Sequence, residues 1–251
     1  MKVNNNLAIN PAYSHLLGEL VAVLQDFENQ GEYVTKGERN VIKKATIQGV
    51  KLNIKKFKTP NFFQSLVYQF LRKSKAKRSF EYANILTKVG IKTPLPIAFL
   101  EQFRFGLKES FYVSEHVEYD LDFRVLNHSP NYPERDEILR QMATFTFKLH
   151  ENNINFLDHS PGNTLIKKTE NNTFNFYLID LNRMRFELMD LKKRMHNFRR
   201  LWLSKKMINV MAPVYAALVG SPEDEVRQLM QLYSKEFQGK VNKRKLRKRR
   251  G

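Results

Sequence analysis

The chain contains no cysteine, which excludes disulfides and thiolate metal sites. It has no apolar run of the length that crosses a bilayer. Its first residues, Met1 to Asn10, are polar where a signal peptide carries an apolar core, so an intracellular protein is expected. No internal repeat is present. The histidines (His15, His116, His128, His150, His159 and His196) show no metal-ligand spacing, and His159 reads as a loop residue. Tryptophan occurs once, and Trp202 reads as core filling rather than a stacking platform. No G-x-G-x-x-G phosphate loop occurs; Gly37-Glu38-Arg39-Asn40 is the one turn suited to cover a phosphate. Acidic residues are scarce, with 25 Asp and Glu against 43 Lys and Arg. The resulting net charge of +18 predicts a polyanionic partner or surface.

What is present supports a globular core. Hydrophobic residues make up 42% of the 251 positions, with 19 Phe and 10 Tyr, enough for one large domain or a two-lobed one. The positive charge is concentrated. Residues 240 to 250 hold eight Lys or Arg among eleven positions. A second cluster comprises Arg72, Lys73, Lys75, Lys77 and Arg78, and a third Lys192, Lys193, Arg194, Arg199 and Arg200. Solvated faces are the plain explanation. The candidate anions are lipid headgroups, nucleic acid and an acidic or phosphorylated substrate, nucleic acid being the less favoured. The segment 239–251 is expected to be a disordered basic tail.

Periodicity divides the rest. Residues 11 to 30 carry Leu16, Leu17, Leu20, Val21, Leu24 and Phe27 at helical spacing, and residues 1–30 read as an N-terminal helical extension. Short apolar runs punctuated by Gly31, Gly37 and Gly49 predict a β-meander through Lys58. Residues 61 to 72 and 76 to 89 are helical by pattern, and Gly90 fits a C-cap. Ile97 to Phe103 and Glu109 to Val117 read as strands. Glu134 to Asn152 is a long amphipathic helix. Thr164 to Ile166 and Phe174 to Ile179 are strands about an Asn-rich turn, and Leu188 to Phe237 is helical. The order predicts an α+β fold, with a β-rich N-lobe at 31–117 and a mostly helical C-lobe at 118–238.

Several positions carry candidate chemistry. Asp158 precedes a Pro161-Gly162 turn and Asn163, and Asp180 ends the apolar run Phe176-Tyr177-Leu178-Ile179. A base toward an acceptor hydroxyl and two oxygen ligands for magnesium are what phosphoryl transfer requires. Each of these residues also suits an ordinary turn. Lys55 ends a strand-like run and could reach phosphate oxygens; Lys56 and Lys58 are rivals. Glu81 sits in an apolar helical stretch where a carboxylate needs a partner, either Lys55 or a helix neighbour such as Lys77 or Arg78.

The order of these signals (Lys on a strand, Glu on the next helix, a strand pair, a long helix, Asp-x4-Asn, a hairpin, Asp) resembles the protein-kinase-like fold. More closely, the chain resembles the lipopolysaccharide kinase family, which includes Kdo kinases and heptose kinases of the lipopolysaccharide core. The resemblance rests on Asn53 to Lys58, Lys75 to Ala83, Phe111 to Glu115, Leu157 to Asn163 and Ile179 to Arg183. It implies an ATP- and Mg2+-dependent phosphotransferase. In it Lys55, held by Glu81, would contact the α/β-phosphates, and Asp158 would orient or deprotonate the acceptor. Asn163 and Asp180 would hold magnesium. The segment Ser114 to Val117 would be the hinge toward adenine, with Glu115 and Val117 as its contacts. The acceptor would be a Kdo or heptose hydroxyl of the lipopolysaccharide inner core or a related glycolipid. The enzyme would work from the inner face of the cytoplasmic membrane, held there by the basic tail. The chain departs from protein kinases in reading Phe156-Leu157-Asp158 for His-Arg-Asp and Asp180-Leu181-Asn182 for Asp-Phe-Gly. It has no Ala-Pro-Glu segment, which disfavours a protein acceptor. Ser160 stands where protein kinases often carry a lysine, so a basic residue from elsewhere would have to supply that charge. The alternatives are a kinase-fold enzyme acting on a protein or soluble metabolite, and a catalytically degenerate basic scaffold or nucleic-acid-binding protein.

Overall fold

The computed structural model describes residues 4–37 and 40–250, arranged as two units, Met1–Val117 and Glu118–Gly251. The first unit begins with strand β1 (Asn4–Ile9). A 3-10 turn (Pro11–Leu16) runs into helix α1 (Leu17–Gln25). Then follow β2 (Glu32–Lys36), β3 (Asn40–Ile47), β4 (Val50–Phe57), helices α2 (Phe62–Phe70) and α3 (Lys75–Lys88), and strands β5 (Pro96–Phe103) and β6 (Leu107–Glu115). The strands form one antiparallel sheet in the order β1-β5-β6-β4-β3-β2. The β3–β4 turn is Gln48-Gly49, both at positive φ, the backbone that a tight two-residue hairpin demands.

Alternation along β4 separates the two faces of this sheet. Leu52 and Ile54 are buried with Leu16, Leu20, Leu24 and Phe27 from the α1 region. Burying one such side chain fully contributes roughly 1.5–3 kcal/mol. The intervening Asn53, Lys55 and Phe57 take the other face, where Phe57 packs with Ala76 of α3 and Phe99 of β5. Phe80 of α3 meets Phe99 at 5.4 Å between ring centroids.

The second unit contains β7 (Leu121–Asp122), α4 (Arg124–His128), α5 (Arg135–Glu151), β8 (Ile154–Phe156), a 3-10 turn (Pro161–Asn163), β9 (Thr164–Lys168), β10 (Phe174–Leu178), β11 (Met184–Phe186), α6 (Leu191–Phe198), a second 3-10 turn (Arg199–Leu201), α7 (Lys205–Val219) and α8 (Glu223–Arg250). Its core joins Ile138, Leu139 and Met142 of α5 to Met207, Met211 and Tyr215 of α7 and to Val226 and Met230 of α8. The α+β expectation, sheet first and helices after, is met. Among the described residues no helix is long and apolar enough to cross a membrane.

Two boundaries differ from expectation. Residues 1–30 are not simply a helical extension, because Asn4–Ile9 forms an edge strand on β5. An edge strand pairs on one side only, so the asparagines there need little apolar character, and Asn6 Nδ2 donates to Glu101 Oε2 at 2.6 Å. The expected disordered tail, 239–251, is instead helical to Arg250 within α8. Lys and Arg are good helix formers, and the packed first half of α8 has already supplied the costly nucleus. Acids at the start, Glu223, Asp224 and Glu225, and cations at the end also suit the helix dipole.

Candidate active site

The loop after β8 is built by local hydrogen bonds. β8 pairs with β11, Phe156 facing Met184, and the Leu157 amide donates to the Arg183 carbonyl at 3.0 Å. Asp158 follows at once. Its carbonyl accepts from the Ser160 amide at 2.6 Å and from Asn163 Nδ2 at 2.8 Å. Pro161 opens the 3-10 turn that returns the chain, and the Asn163 amide donates to the Ser160 carbonyl at 2.9 Å. Gly162 lies against Arg124, where a Cβ would come within 3.3 Å of Nε. The Asn163 carbonyl then accepts from the Ile179 amide at 3.0 Å. Asp158, Asn163 and the residue before Asp180 are thereby joined, and all three polar residues are half-buried.

Asp180 is a non-glycine residue at φ +58°, a conformation that L side chains adopt rarely and that clusters at functional loops. Its Oδ1 accepts from Asn182 Nδ2 at 2.7 Å. Among the described residues no group of three His, Asp or Glu side chains makes a ready-built metal centre. Magnesium in a phosphotransferase takes one or two protein oxygens, with phosphates and waters completing its octahedron. The Asn163–Asp180 pair fits that demand: Asn163 spends its NH2 group on Asp158, which leaves its amide oxygen as the acceptor end.

Charge around Asp158 comes from residues that spacing did not single out. Arg200 Nη1 donates to Asp158 Oδ1, and Arg183 Nη1 stands 3.8 Å from Oδ2. Arg200 belongs to the 3-10 turn after α6, and its guanidinium lies 5.7 Å from the Phe237 ring of α8. The only sequence signal was its membership of a basic cluster. It places a cation beside Asp158 in a loop where Ser160 offers none.

Behind the loop lies a buried polar network. His159 is a loop residue, as read, but fully buried. Its Nδ1 is 2.9 Å from Asn197 Oδ1, and Asn197 Nδ2 donates to the Phe156 carbonyl at 2.9 Å. His150 bonds Tyr215 Oη at 2.7 Å and Asn197 Oδ1 at 3.3 Å. Burial lowers the pKa of His159 to about 4, against the opposing bond to Asn197. Burial likewise lowers that of His150 to about 3. Both rings are therefore neutral near pH 7, and α5, α6 and α7 are tied to the back of the loop.

In the first unit, Lys55 of β4 shares the sheet face on which α3 packs, with Nζ 5.3 Å from the Phe57 ring. Lys56 points to the opposite face and pairs with Glu28 at 3.1 Å and Glu109 at 3.0 Å. Burial works to lower its pKa, but those carboxylates outweigh it. Lys58 is exposed beyond the strand. Glu81 of α3 receives Lys73 Nζ on both carboxylate oxygens, at 2.9 and 2.8 Å, where the sequence had suggested Lys55, Lys77 or Arg78. Lys73 comes from the loop between α2 and α3, which folds back over the first turns of α3. Glu115 ends β6; Tyr13 Oη donates to its carboxylate, and its amide donates to the Leu95 carbonyl at 2.9 Å. The His116 amide is taken by Lys51. Val117 closes the unit. Of the proposed phosphate-covering turn, Gly37 and Asn40 close on one another, Gly37 N–H to the Asn40 carbonyl at 3.2 Å. Glu38 and Arg39 lie outside the described residues.

Comparison with known proteins adds a family. Residues 27–233 match the Lipopolysaccharide kinase (Kdo/WaaP) family. Comparison with curated protein sequences finds no match. Among solved structures, the chain is similar to WaaP in complex with acyl carrier protein. That likeness has a TM-score of 0.65 at 15% identity and covers 93% of this chain and 98% of the other.

Proposed function

The chain belongs to the lipopolysaccharide kinase (Kdo/WaaP) family, and on that premise we propose that it moves the γ-phosphoryl group of ATP to a sugar hydroxyl of lipopolysaccharide inner core, Kdo or heptose, or of a related envelope glycolipid. The observation that carries this reading is the clasp between Asp158 and Asn163, docked by Ile179 onto the strand end that bears Asp180. Phosphoryl transfer asks little covalent chemistry of a protein; it asks for position and for compensating charge.

In this reading Asp158 accepts a hydrogen bond from the acceptor hydroxyl and takes its proton as the phosphoryl group is transferred. Arg200 fixes the Asp158 carboxylate, with Arg183 beside it, and offers positive charge toward the equatorial phosphoryl oxygens. Asn163 and Asp180 would hold Mg2+, which would supply positive charge to offset that of the phosphates. Lys55 meets the nucleotide phosphates as a compact charge. Glu81, with both carboxylate oxygens on Lys73, is committed to that cation rather than to Lys55. With the Glu115 and His116 amides committed within the unit, adenine is met by the Glu115 carbonyl and the Val117 amide. The absence of an Ala-Pro-Glu segment, with α6 beginning at Leu191 soon after β11, favours a sugar over a peptide acceptor. The basic end of α8 holds the enzyme on the anionic inner face of the cytoplasmic membrane, at about 1 kcal/mol per well-placed Lys or Arg.

The direct test is transfer of labelled phosphate from ATP to purified lipopolysaccharide or its precursor. Asp158→Asn is expected to lose activity by about three orders of magnitude or more while retaining the circular dichroism and melting temperature of the parent. Undiminished transfer by that variant would remove Asp158 from the mechanism.

A further inference from the structure

Helix α2 exposes side chains that a surface helix normally hides. Phe62, Phe63, Phe70 and Leu71 are 61%, 79%, 72% and 82% exposed, and Phe105, in the turn between β5 and β6, is 65% exposed. Phe63, Val67 and Phe70 stand at i, i+4 and i+7, one stripe along the helix. Isolated exposed apolar residues are unremarkable, but a contiguous group of this bulk marks an interaction surface.

The patch is held in place. Ser65 Oγ, on another side of α2, donates to the Leu107 carbonyl at 2.8 Å. Gly106, at φ +106°, brings its backbone so close that a Cβ would sit 2.3 Å from Ser65 Oγ. This close approach seats α2 against the β5–β6 turn. Phe70 and Leu71 accordingly line one open cavity of about 860 Å³ with Phe105. Phe105 itself has φ +51°, an uncommon conformation for a bulky residue, so the turn keeps an exposed aromatic at a conformational cost.

Charge selects the occupant. Arg72, Lys77 and Arg104 line the same cavity, together with Lys73, which holds Glu81, and the buried Glu101, which accepts from Asn6. From Lys58 to Arg78 the chain carries six Lys or Arg and no Asp or Glu. An apolar centre rimmed by cations matches an anionic bilayer: headgroup phosphates accept from Arg and Lys while Phe and Leu enter the acyl boundary. The end of α8 differs, since from Lys240 onward it is dominated by charge, and charge alone is released by salt. We propose that α2 and the β5–β6 turn form a membrane-inserting surface for anionic phospholipid, anchoring the first unit by apolar insertion as well as by charge.

This inference goes beyond the transferase reading and is tested without nucleotide or acceptor, so its failure leaves that reading untouched. The full chain is floated with vesicles of phosphatidylcholine alone or mixed with phosphatidylglycerol, at low and high salt. Binding is expected to need phosphatidylglycerol and to persist in part at high salt. Phe63→Ser with Phe70→Ser is expected to weaken binding about tenfold or more and to abolish the salt-resistant part. Arg72→Gln with Arg104→Gln is expected to weaken binding at low salt while leaving the melting temperature unchanged. Vesicle binding unaltered in both double variants would overturn the proposal. So would concentration-dependent dimerisation, or capture of an acidic soluble protein, that the Phe variants lose while their vesicle binding is intact.

Discussion

Asp158 is flanked by arginine rather than by the lysine that a protein-kinase loop offers from its own sequence. Arg200 meets one carboxylate oxygen and Arg183 approaches the other. A guanidinium is planar and forked, so it fixes a carboxylate's orientation in a way that a lysine point charge does not. Arg200→Gln is therefore expected to lower kcat by about 10- to 100-fold with little change in the KM for ATP. Arg200→Lys should restore part of kcat, because charge returns without the fork. A steady-state kinetic comparison checks this; a change in KM alone would mean that Arg200 serves binding. The Asp158–Asn163 relation was legible in the sequence because both residues lie in one short loop closed by Pro161 and Gly162. Arg200 was not, because Arg199-Arg200 looks like any solvated basic pair until α6 turns it back toward the loop. The partner of Glu81 was also hidden: Lys73 reaches it by a fold of the chain between two helices, which no helical spacing encodes.

At the scale of elements, three helices converge through His150, Asn197 and Tyr215 on His159 of the Asp158–Asn163 loop. Burial depresses both histidines, to about 3 and about 4, from the ordinary 6.5. The unfolded chain therefore binds more protons than the folded chain once the pH drops below about 6.5. Stability from this network is fully present above that pH and declines as pH falls toward the folded values. The slope is about 1.4 kcal/mol per pH unit for each histidine. Melting temperatures recorded from about pH 7.5 down to about pH 4.5 should fall for the parent and fall less steeply for His159→Gln, which has one titrating group fewer. Parallel curves would show that His159 is not linked to folding. The strands β3 to β6 and helices α3 and α5 were legible from alternation and helical spacing, since each buries a regular face. β1 was not: Asn4, Asn5 and Asn6 belong to an edge strand whose pairing with β5 supplies the order that its composition does not. The final turns of α8 were misjudged for the opposite reason, because composition resembling a disordered tail is tolerated when a packed helix is already in place to extend.

On the scale of the whole molecule, the fold class, the family and the excess of positive charge are all visible in the amino-acid sequence. What composition could not do was assign the charge. Of the three basic clusters, one contains Arg200 against Asp158, one borders the exposed phenylalanines of α2, and one ends α8. The same net charge thus serves a candidate reaction centre in one place and candidate anion-binding surfaces in two others. The central claim, that this family member phosphorylates a lipopolysaccharide sugar, is tested most directly by the mass of purified lipopolysaccharide inner-core precursor after incubation with the enzyme, ATP and Mg2+. The account predicts a gain of one phosphoryl group, located by fragmentation on a Kdo or heptose residue and missing when Asp158→Asn replaces the parent enzyme. An unchanged precursor mass under conditions where the parent enzyme hydrolyses ATP or phosphorylates a different acceptor would contradict it.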